Sequence, residues 1–169
     1  LDWLADSGGL HEDLALESYV AAAEQATQPG TQDDPGFMAA LRRFRRRQLV
    51  RIAWRDLAGL APIEQVLLEL SALAEASIGA ACRHATATLG NRHGVPRGKD
   101  GREMPLLVLG MGKLGGGELN FSSDIDLVFL FAAHGETTGS RPLEHEEFFI
   151  RVGKRVAQLL GSPTDDGFV

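Results

Sequence analysis

The sequence has a single cysteine, Cys82, among its 169 residues. One cysteine excludes a disulfide framework and fits a reducing, cytoplasmic compartment. Positive charge is also in short supply. Lys and Arg number 17 against 23 Asp and Glu, giving a net charge of −6 and a sequence pI near 5.3. A nucleic-acid-binding surface usually brings a basic balance, so no nucleic-acid partner is expected. No uninterrupted apolar run reaches the roughly 18 residues that a membrane span needs. No signal peptide is visible either, so no membrane partner is expected. The first residue is Leu1 rather than Met, and the last are Asp165-Asp166-Gly167-Phe168-Val169; further sequence is expected at both ends. What the chain does have is 44% hydrophobic residues and a mean hydropathy of −0.08, enough for one packed domain.

The first half reads as helical, and residues 1–92 are taken as one helical segment. Residues 10–26 carry Leu14, Leu16, Val20 and Ala23 on an apolar face. Pro29-Gly30 breaks that helix. Asp34-Pro35 then predicts an N-cap followed by proline in the first turn. Phe37, Leu41, Phe44, Gln48 and Ile52 recur at spacings of three and four, which predicts an amphipathic helix to about Trp54. Pro62 opens an alanine-rich helix in which Ile63, Val66, Leu67, Leu70, Leu73 and Ala74 share a face. Its end is expected near Gly90. Residues 91–103 hold glycines, a proline and charges, as a loop does.

From about residue 104 to 169 the character changes to that of a mixed core. Leu106-Leu107-Val108-Leu109 reads as a short buried strand. Five glycines follow between Gly110 and Gly117. Residues 125–131 form a second β-rich apolar run. Gly135 and Gly139 mark a turn. Residues 143–160 make a third amphipathic helix, with Phe148, Phe149, Val152, Val156, Leu159 and Leu160 inward, and Gly161-Ser162-Pro163 stops it. The expected class is α+β: a helical N-terminal segment, then the opening part of a catalytic core.

Gly110-Met111-Gly112-Lys113-Leu114-Gly115 fits the G-x-G-x-x-G pattern of dinucleotide sites. The spacing argues against that use. About eight residues separate Gly115 from the next strand, too few for a parallel crossover with its helix. A P-loop is excluded by the residues: Leu114 stands where Ser or Thr should follow the lysine. Two readings remain. A glycine turn lets a phosphate approach the backbone closely, and a tight turn between strands has no further duty. Lys113 likewise either meets a phosphate or lies along the turn with its charge in water.

Asp124-Ile125-Asp126 weighs toward the first reading. Residues i and i+2 of a strand face the same side. The two aspartates then point together, with Ile125 and Leu127 turned to the core. Side-by-side carboxylates repel unless something compensates them. A hard divalent cation does so, and Mg²⁺ held by one or two carboxylates plus substrate phosphates is the usual arrangement in phosphoryl transfer. The plain alternative is a solvated acidic strand end. The glycine turn just upstream and Ser123 beside the pair favour the metal.

The run Gly112-Lys113-Leu114-Gly115-Gly116-Gly117-Glu118-Leu119-Asn120-Phe121-Ser122-Ser123-Asp124-Ile125-Asp126-Leu127 closely resembles the signature of the bifunctional glutamine synthetase adenylyltransferase/adenylyl-removing family. Leu41-Arg42-Arg43-Phe44-Arg45-Arg46-Arg47 and Arg51-Ile52-Ala53-Trp54-Arg55-Asp56 resemble its helical segment upstream of the core. That family carries two DNA polymerase β-like nucleotidyltransferase domains in one chain. One removes AMP from a tyrosine of glutamine synthetase by phosphorolysis, giving ADP; the other attaches AMP from ATP. Asn120-Phe121 is similar to the wording of the first, N-terminal copy. The resemblance implies Mg²⁺ on Asp124 and Asp126, phosphate contacts from Gly115, Gly116 and Ser123, and as partners glutamine synthetase, ATP or ADP, phosphate and the PII nitrogen-signalling protein. It also implies a third carboxylate in an Arg-Val-Asp strand after a segment like Asp166-Gly167-Phe168-Val169. On that footing the 169 residues alone are expected to be inactive and poorly packed around the glycine turn.

Arg43, Arg47, Arg51 and Arg55, spaced by four, form a basic stripe widened by Arg42, Arg45 and Arg46. With so many acids available, a solvated helix face paired to them is favoured over a dock for phosphate, nucleotide or an acidic partner. His84, His93, His134 and His145 lack metal-ligand spacing, and Cys82 reads as core. Three functions stay open: AMP removal, AMP attachment or another nucleotidyl transfer, and a helical interaction module that only binds nucleotide.

Overall fold

A computed structural model describes residues 9–28 and 33–161. Three helices come first: α1 (Leu16–Thr27), α2 (Asp34–Leu57) and α3 (Ile63–His93). Then follow β1 (Leu107–Gly110), a single helical turn α4 (Gly112–Gly115), β2 (Leu127–Leu130) and α5 (His145–Gly161). The chain is α+β, as expected. The Pro29-Gly30 break, the Ser162-Pro163 stop and residues 165–169 lie outside the described residues.

Helix α1 starts at Leu16, not Leu10, and its buried face is Tyr19, Ala23 and Thr27, an i, i+4 series. Val20 and Leu16 are only half-buried. Helix α2 is capped by Asp33 rather than Asp34: the Asp33 carboxylate accepts from the Gly36 N–H at 3.0 Å. That one-residue shift leaves the Asp34 side chain available. Its Oδ1 accepts from Arg155 at 2.7 Å and lies 3.0 Å from His84 Nε2, tying the start of α2 to both α3 and α5.

Helix α3 runs past Gly90 to His93, where Gly94, at a φ of 74°, takes the C-cap. Its alanines let neighbours approach closely, and it packs against α1, α2 and α5. By length and composition α3 could cross a membrane, with a stretch of hydropathy 1.3, but 61% of that stretch is buried inside the protein. Val66, Leu70, Leu73 and Ala74 are buried as expected, whereas Ile63, the first residue of the helix, is exposed. Helix α5 buries Phe148, Phe149, Val152, Val156 and Leu159, leaving Leu160 half-buried. One hydrophobic cluster therefore runs from Tyr19 to Leu159, across the loop that separates the helical segment from the rest.

The basic stripe of α2 splits. Arg43 and Arg47 are exposed, but Arg51 and Arg55 are buried. Both meet Glu69 of α3, itself 2% exposed, which also accepts from Tyr19 Oη at 2.7 Å. The expected solvated face therefore holds for Arg43 and Arg47 but not for Arg51 and Arg55, nor for Arg42 at its margin, which is 4% exposed. Beyond Gln48, α2 has α3 on this side, so i+4 spacing carries the cations into the interior.

Tyr19 is the only tyrosine. Burial first, and then its hydrogen bond to Glu69, hold its hydroxyl well above the ordinary tyrosine value. The folded protein thus keeps a proton that the unfolded chain releases near pH 10. This contribution is complete below about pH 10 and is lost as pH rises further, at up to roughly 1.4 kcal/mol per pH unit. In an alkaline titration, phenolate absorbance should appear with unfolding and not before it. Tyr19→Phe should flatten the alkaline loss of stability. Phenolate formed while the helical signal is intact would contradict this.

The two strands pair antiparallel, Leu107 opposite Leu130 and Gly110 opposite Leu127. Val108, Leu127 and Phe129 face the cluster. Leu107 and Leu109 are about half exposed (51% and 49%), so β1 is not the buried strand its apolar run suggests. Only one face of this ribbon is covered by helices. After β2, Phe131 stacks on Phe149 at 5.3 Å, and the loop crosses the end of α3 with Gly139 N–H donating to the His93 carbonyl at 2.9 Å. A Cβ on Gly139 would lie 2.2 Å from the His93 backbone, which accounts for glycine there.

Candidate active site

Antiparallel pairing removes the dinucleotide-fold reading of the glycine motif, because that fold needs a parallel crossover. The ladder instead ends where the two motifs meet. One step beyond the Gly110–Leu127 pair, the Met111 N–H donates to the Asp126 carbonyl at 2.9 Å. The glycine turn thus leaves β1 directly opposite the acid that enters β2.

The turn is well packed, contrary to the expectation of looseness there. Leu114 and Leu119 are buried in the main cluster. Gly115 folds back onto β1: a Cβ there would sit 2.5 Å from the Gly110 carbonyl oxygen, closer than real contacts come. The amides of Gly115, Gly116 and Gly117 donate to Met111, Gly112 and Leu114 carbonyls. Gly115 and Gly116 stay exposed, so a ligand can reach their backbone, but their N–H groups already have partners. Lys113 is exposed, and no hydrogen bond or ion pair engages its side chain among the described residues.

A polar bracket shapes the segment between the turn and the acids. Leu119 N–H donates to Ser71 Oγ of α3 at 3.1 Å. Asn120 Oδ1 accepts from Ser123 Oγ at 2.7 Å and from the Ser122 N–H at 3.1 Å. The Ser123 N–H donates to the Asn120 carbonyl at 3.2 Å. Both donors of Ser123 are therefore used on Asn120. In this arrangement Ser123 holds the loop rather than offering a donor to phosphate.

Asp124 and Asp126 lie before the strand rather than on it, since β2 begins at Leu127. Both are exposed, and among the described residues neither carboxylate has a hydrogen bond or ion pair. Ile125 is not in the core; it is 39% exposed and lines a cavity. The ladder has ended by this point, so no neighbouring strand covers it. Two unpaired hard oxygen donors open to solvent suit Mg²⁺, which takes one or two carboxylates and completes its shell with water and phosphate oxygens. Among the described residues no group of three or more His, Cys, Asp or Glu could hold a metal. His84, His93 and His145 bond within the protein, to Asp34, the Arg141 carbonyl, and the Ala133 and Glu136 carbonyls. Burial raises the Cys82 thiol to about 11, with Arg83 pulling the other way, which fits an unreactive residue.

The cavity beside the acids measures about 540 Å³ and reaches from Asn120, Ser123 and Asp124 to Leu73, Ile78 and Val156. Arg45 of α2 and Phe121 also line it. In the sequence Arg45 stands out only as part of the basic stripe, and Phe121 only as part of the signature run. The signal was present: residues 42, 45, 46, 49, 50 and 53 follow helical spacing on a face different from the one with Arg43 and Arg47.

A family model described as glutamate-ammonia ligase adenylyltransferase matches residues 1–169. Curated relatives named bifunctional glutamine synthetase adenylyltransferase/adenylyl-removing enzyme agree with it. The protein of Thioalkalivibrio sulfidiphilus is 49% identical over 89% of this chain, and that of Shewanella loihica 52% identical over 92%. The chain spans 16% of the length of each of these two. On the extent of the match and on this identity, the chain belongs to the glutamate-ammonia ligase adenylyltransferase family.

Proposed function

We propose that this chain supplies part of a Mg²⁺-dependent nucleotidyltransferase site in a cytoplasmic enzyme that controls glutamine synthetase, and that this copy removes AMP from a tyrosine by phosphorolysis. The observation that supports the reading best is the register: the Met111–Asp126 hydrogen bond brings the glycine turn and two uncompensated aspartates to one end of the ribbon. Asp124 and Asp126 would hold the metal. When bound, Mg²⁺ neutralises phosphate charge and makes the phosphorus a better electrophile. Lys113 adds a cation from the turn, and the Asn120–Ser123 bracket fixes where the aspartates enter β2. An oxygen of inorganic phosphate attacks the AMP phosphorus, the bond to the tyrosine oxygen breaks, the tyrosine regains a proton and ADP leaves. Catalysis of this kind rests on position and electrostatics more than on covalent chemistry. The Asn120-Phe121 wording favours removal over attachment, and the PII nitrogen-signalling protein fits as a regulator of the whole enzyme.

The full-length protein that carries this chain, given adenylylated glutamine synthetase, should release ADP only when both inorganic phosphate and Mg²⁺ are present. Release of free AMP without phosphate, or an activity confined to ATP-dependent attachment, would replace this assignment with hydrolysis or with the other transfer direction.

A further inference from the structure

The arginine-rich face of α2 is not used by the turn or the aspartates. Arg42, Arg45, Arg46, Leu49, Val50 and Ala53 line, with Phe121, a groove of about 350 Å³. Arg45, Leu49 and Phe121 also belong to the cavity that contains Ser123 and Asp124. Arg45 therefore stands where the groove opens into the site. Its side chain is half-buried and makes no hydrogen bond or ion pair among the described residues, not even with Asp124 across the cavity.

That placement contrasts with its neighbours. Buried Arg51 and Arg55 share Glu69, and half-buried Arg155 meets Asp34. Removing a cation from water is costly unless an anion compensates it. Burial alone pulls the Arg45 guanidinium below its ordinary value, with no carboxylate opposing the shift. A planar guanidinium held this way matches the oxygens of a phosphate, to which it can donate two hydrogen bonds at once. Asp124 and Asp126 repel an anion, so a phosphate beside them needs positive charge from elsewhere as well as from a metal.

We infer that Arg45 is a ligand-binding residue of this site and contacts a phosphate group, so that the helical segment contributes directly to substrate binding. The inference rests on the reading proposed above, in which the site handles phosphate. The phosphate could belong to the nucleotide or be the inorganic co-substrate; the chemistry is the same.

The test uses the full-length protein. Arg45→Ala should raise the KM for inorganic phosphate, or weaken ADP binding, roughly 10- to 100-fold, the range expected for a lost charge-assisted contact. Thermal stability should hold, and kcat should fall much less than kcat/KM. Arg45→Lys should recover part of the loss, since it restores the charge without the fork. Arg43→Ala, on the other side of α2, should match the parent protein. A rise in phosphate KM with weaker ADP binding and unchanged AMP affinity identifies the inorganic phosphate, which becomes the outer phosphate of ADP; weaker binding of both ADP and AMP with an unchanged phosphate KM identifies the phosphate of AMP. Phosphate KM and ADP affinity both within about twofold of the parent would overturn the inference, even while Asp126→Asn still abolished turnover. If the parent shows no phosphate-dependent ADP release, the functional proposal falls, and equilibrium binding of ADP and phosphate decides this one separately. Weaker binding by Arg45→Ala then sustains it; equal binding, or none by the parent, overturns it.

Discussion

Asp126→Asn, made in the full-length protein, is expected to lower phosphate-dependent AMP removal by roughly a thousandfold or more, since a metal at a transferring phosphoryl group supplies several kcal/mol. Asparagine keeps the shape of the side chain and leaves untouched the backbone carbonyl that accepts from Met111. The carboxylate is exposed and makes no protein contact among the described residues, so folding should change by no more than about 0.5 kcal/mol. Removing one of two neighbouring negative charges relieves repulsion, so any change in the metal-free protein should be toward stability. Metal dependence gives the sharper reading. A ligand that binds only the folded state raises its stability with concentration. Mg²⁺ with ADP should therefore raise the melting temperature of the parent protein and not that of Asp124→Asn combined with Asp126→Asn. An equal rise in both would move the metal away from these aspartates. If AMP attachment, not removal, were lost in Asp126→Asn, the chain would belong to the other catalytic copy.

Much of this site could be read from the sequence because its signal is local. The D-x-D pair, the glycines and the strand after them lie within about twenty residues, and short-range chemistry fixes their order. The antiparallel register is local too, since so short a connection cannot make a parallel crossover. Other features depend on what surrounds a residue in the fold. Ile125 looks like core by strand alternation, yet the ladder ends before it and no side chain covers it fully. The Ser123 hydroxyl donates to Asn120, three residues earlier, a bond that the spacing alone does not announce. Gly115 has a packing duty that the motif does not reveal, since a Cβ there would meet the Gly110 carbonyl. Sequence spacing puts the arginines of α2 into one stripe. Their real grouping depends on what lies opposite: α1 near Arg43 and Arg47, the cavity near Arg45, and Glu69 near Arg51 and Arg55. Only the fold supplies that information.

Glu69→Ala is expected to destabilise the protein by about 3–5 kcal/mol, the cost of breaking a buried ion cluster from one side. For a chain of this size that is a fall in melting temperature of roughly 6–20 °C. Glu69 Oε2 accepts from Arg51 and from Tyr19, and Oε1 accepts from Arg55. Without the carboxylate, two guanidiniums remain in the interior. Among the described residues the one acid still paired with either is Asp13, which meets Arg55 at 2.5 Å but is itself 63% exposed and so a weaker counter-charge. Among the described residues Arg51 would keep only neutral partners, the Tyr19 hydroxyl at 3.3 Å and the carbonyls of Gly9, at 2.8 Å, and Glu12. Those carbonyls show what the cluster does besides joining α2 to α3: it fixes the chain that leads into α1. Glu69→Gln should lie between the parent and Glu69→Ala, because it preserves two acceptor contacts at most and none of the charge. Replacing the whole cluster tests the cause. Arg51→Met, Arg55→Leu and Glu69→Leu together remove the uncompensated charge, and apolar substitutes for a buried ion cluster are often neutral or better. This triple variant should recover most of the stability lost in Glu69→Ala, while residues 9–13 become more open to protease. A melting temperature for Glu69→Ala within about 2 °C of the parent would show that water or a rearranged acid compensates both arginines. The cluster would then not be what holds α2 on α3.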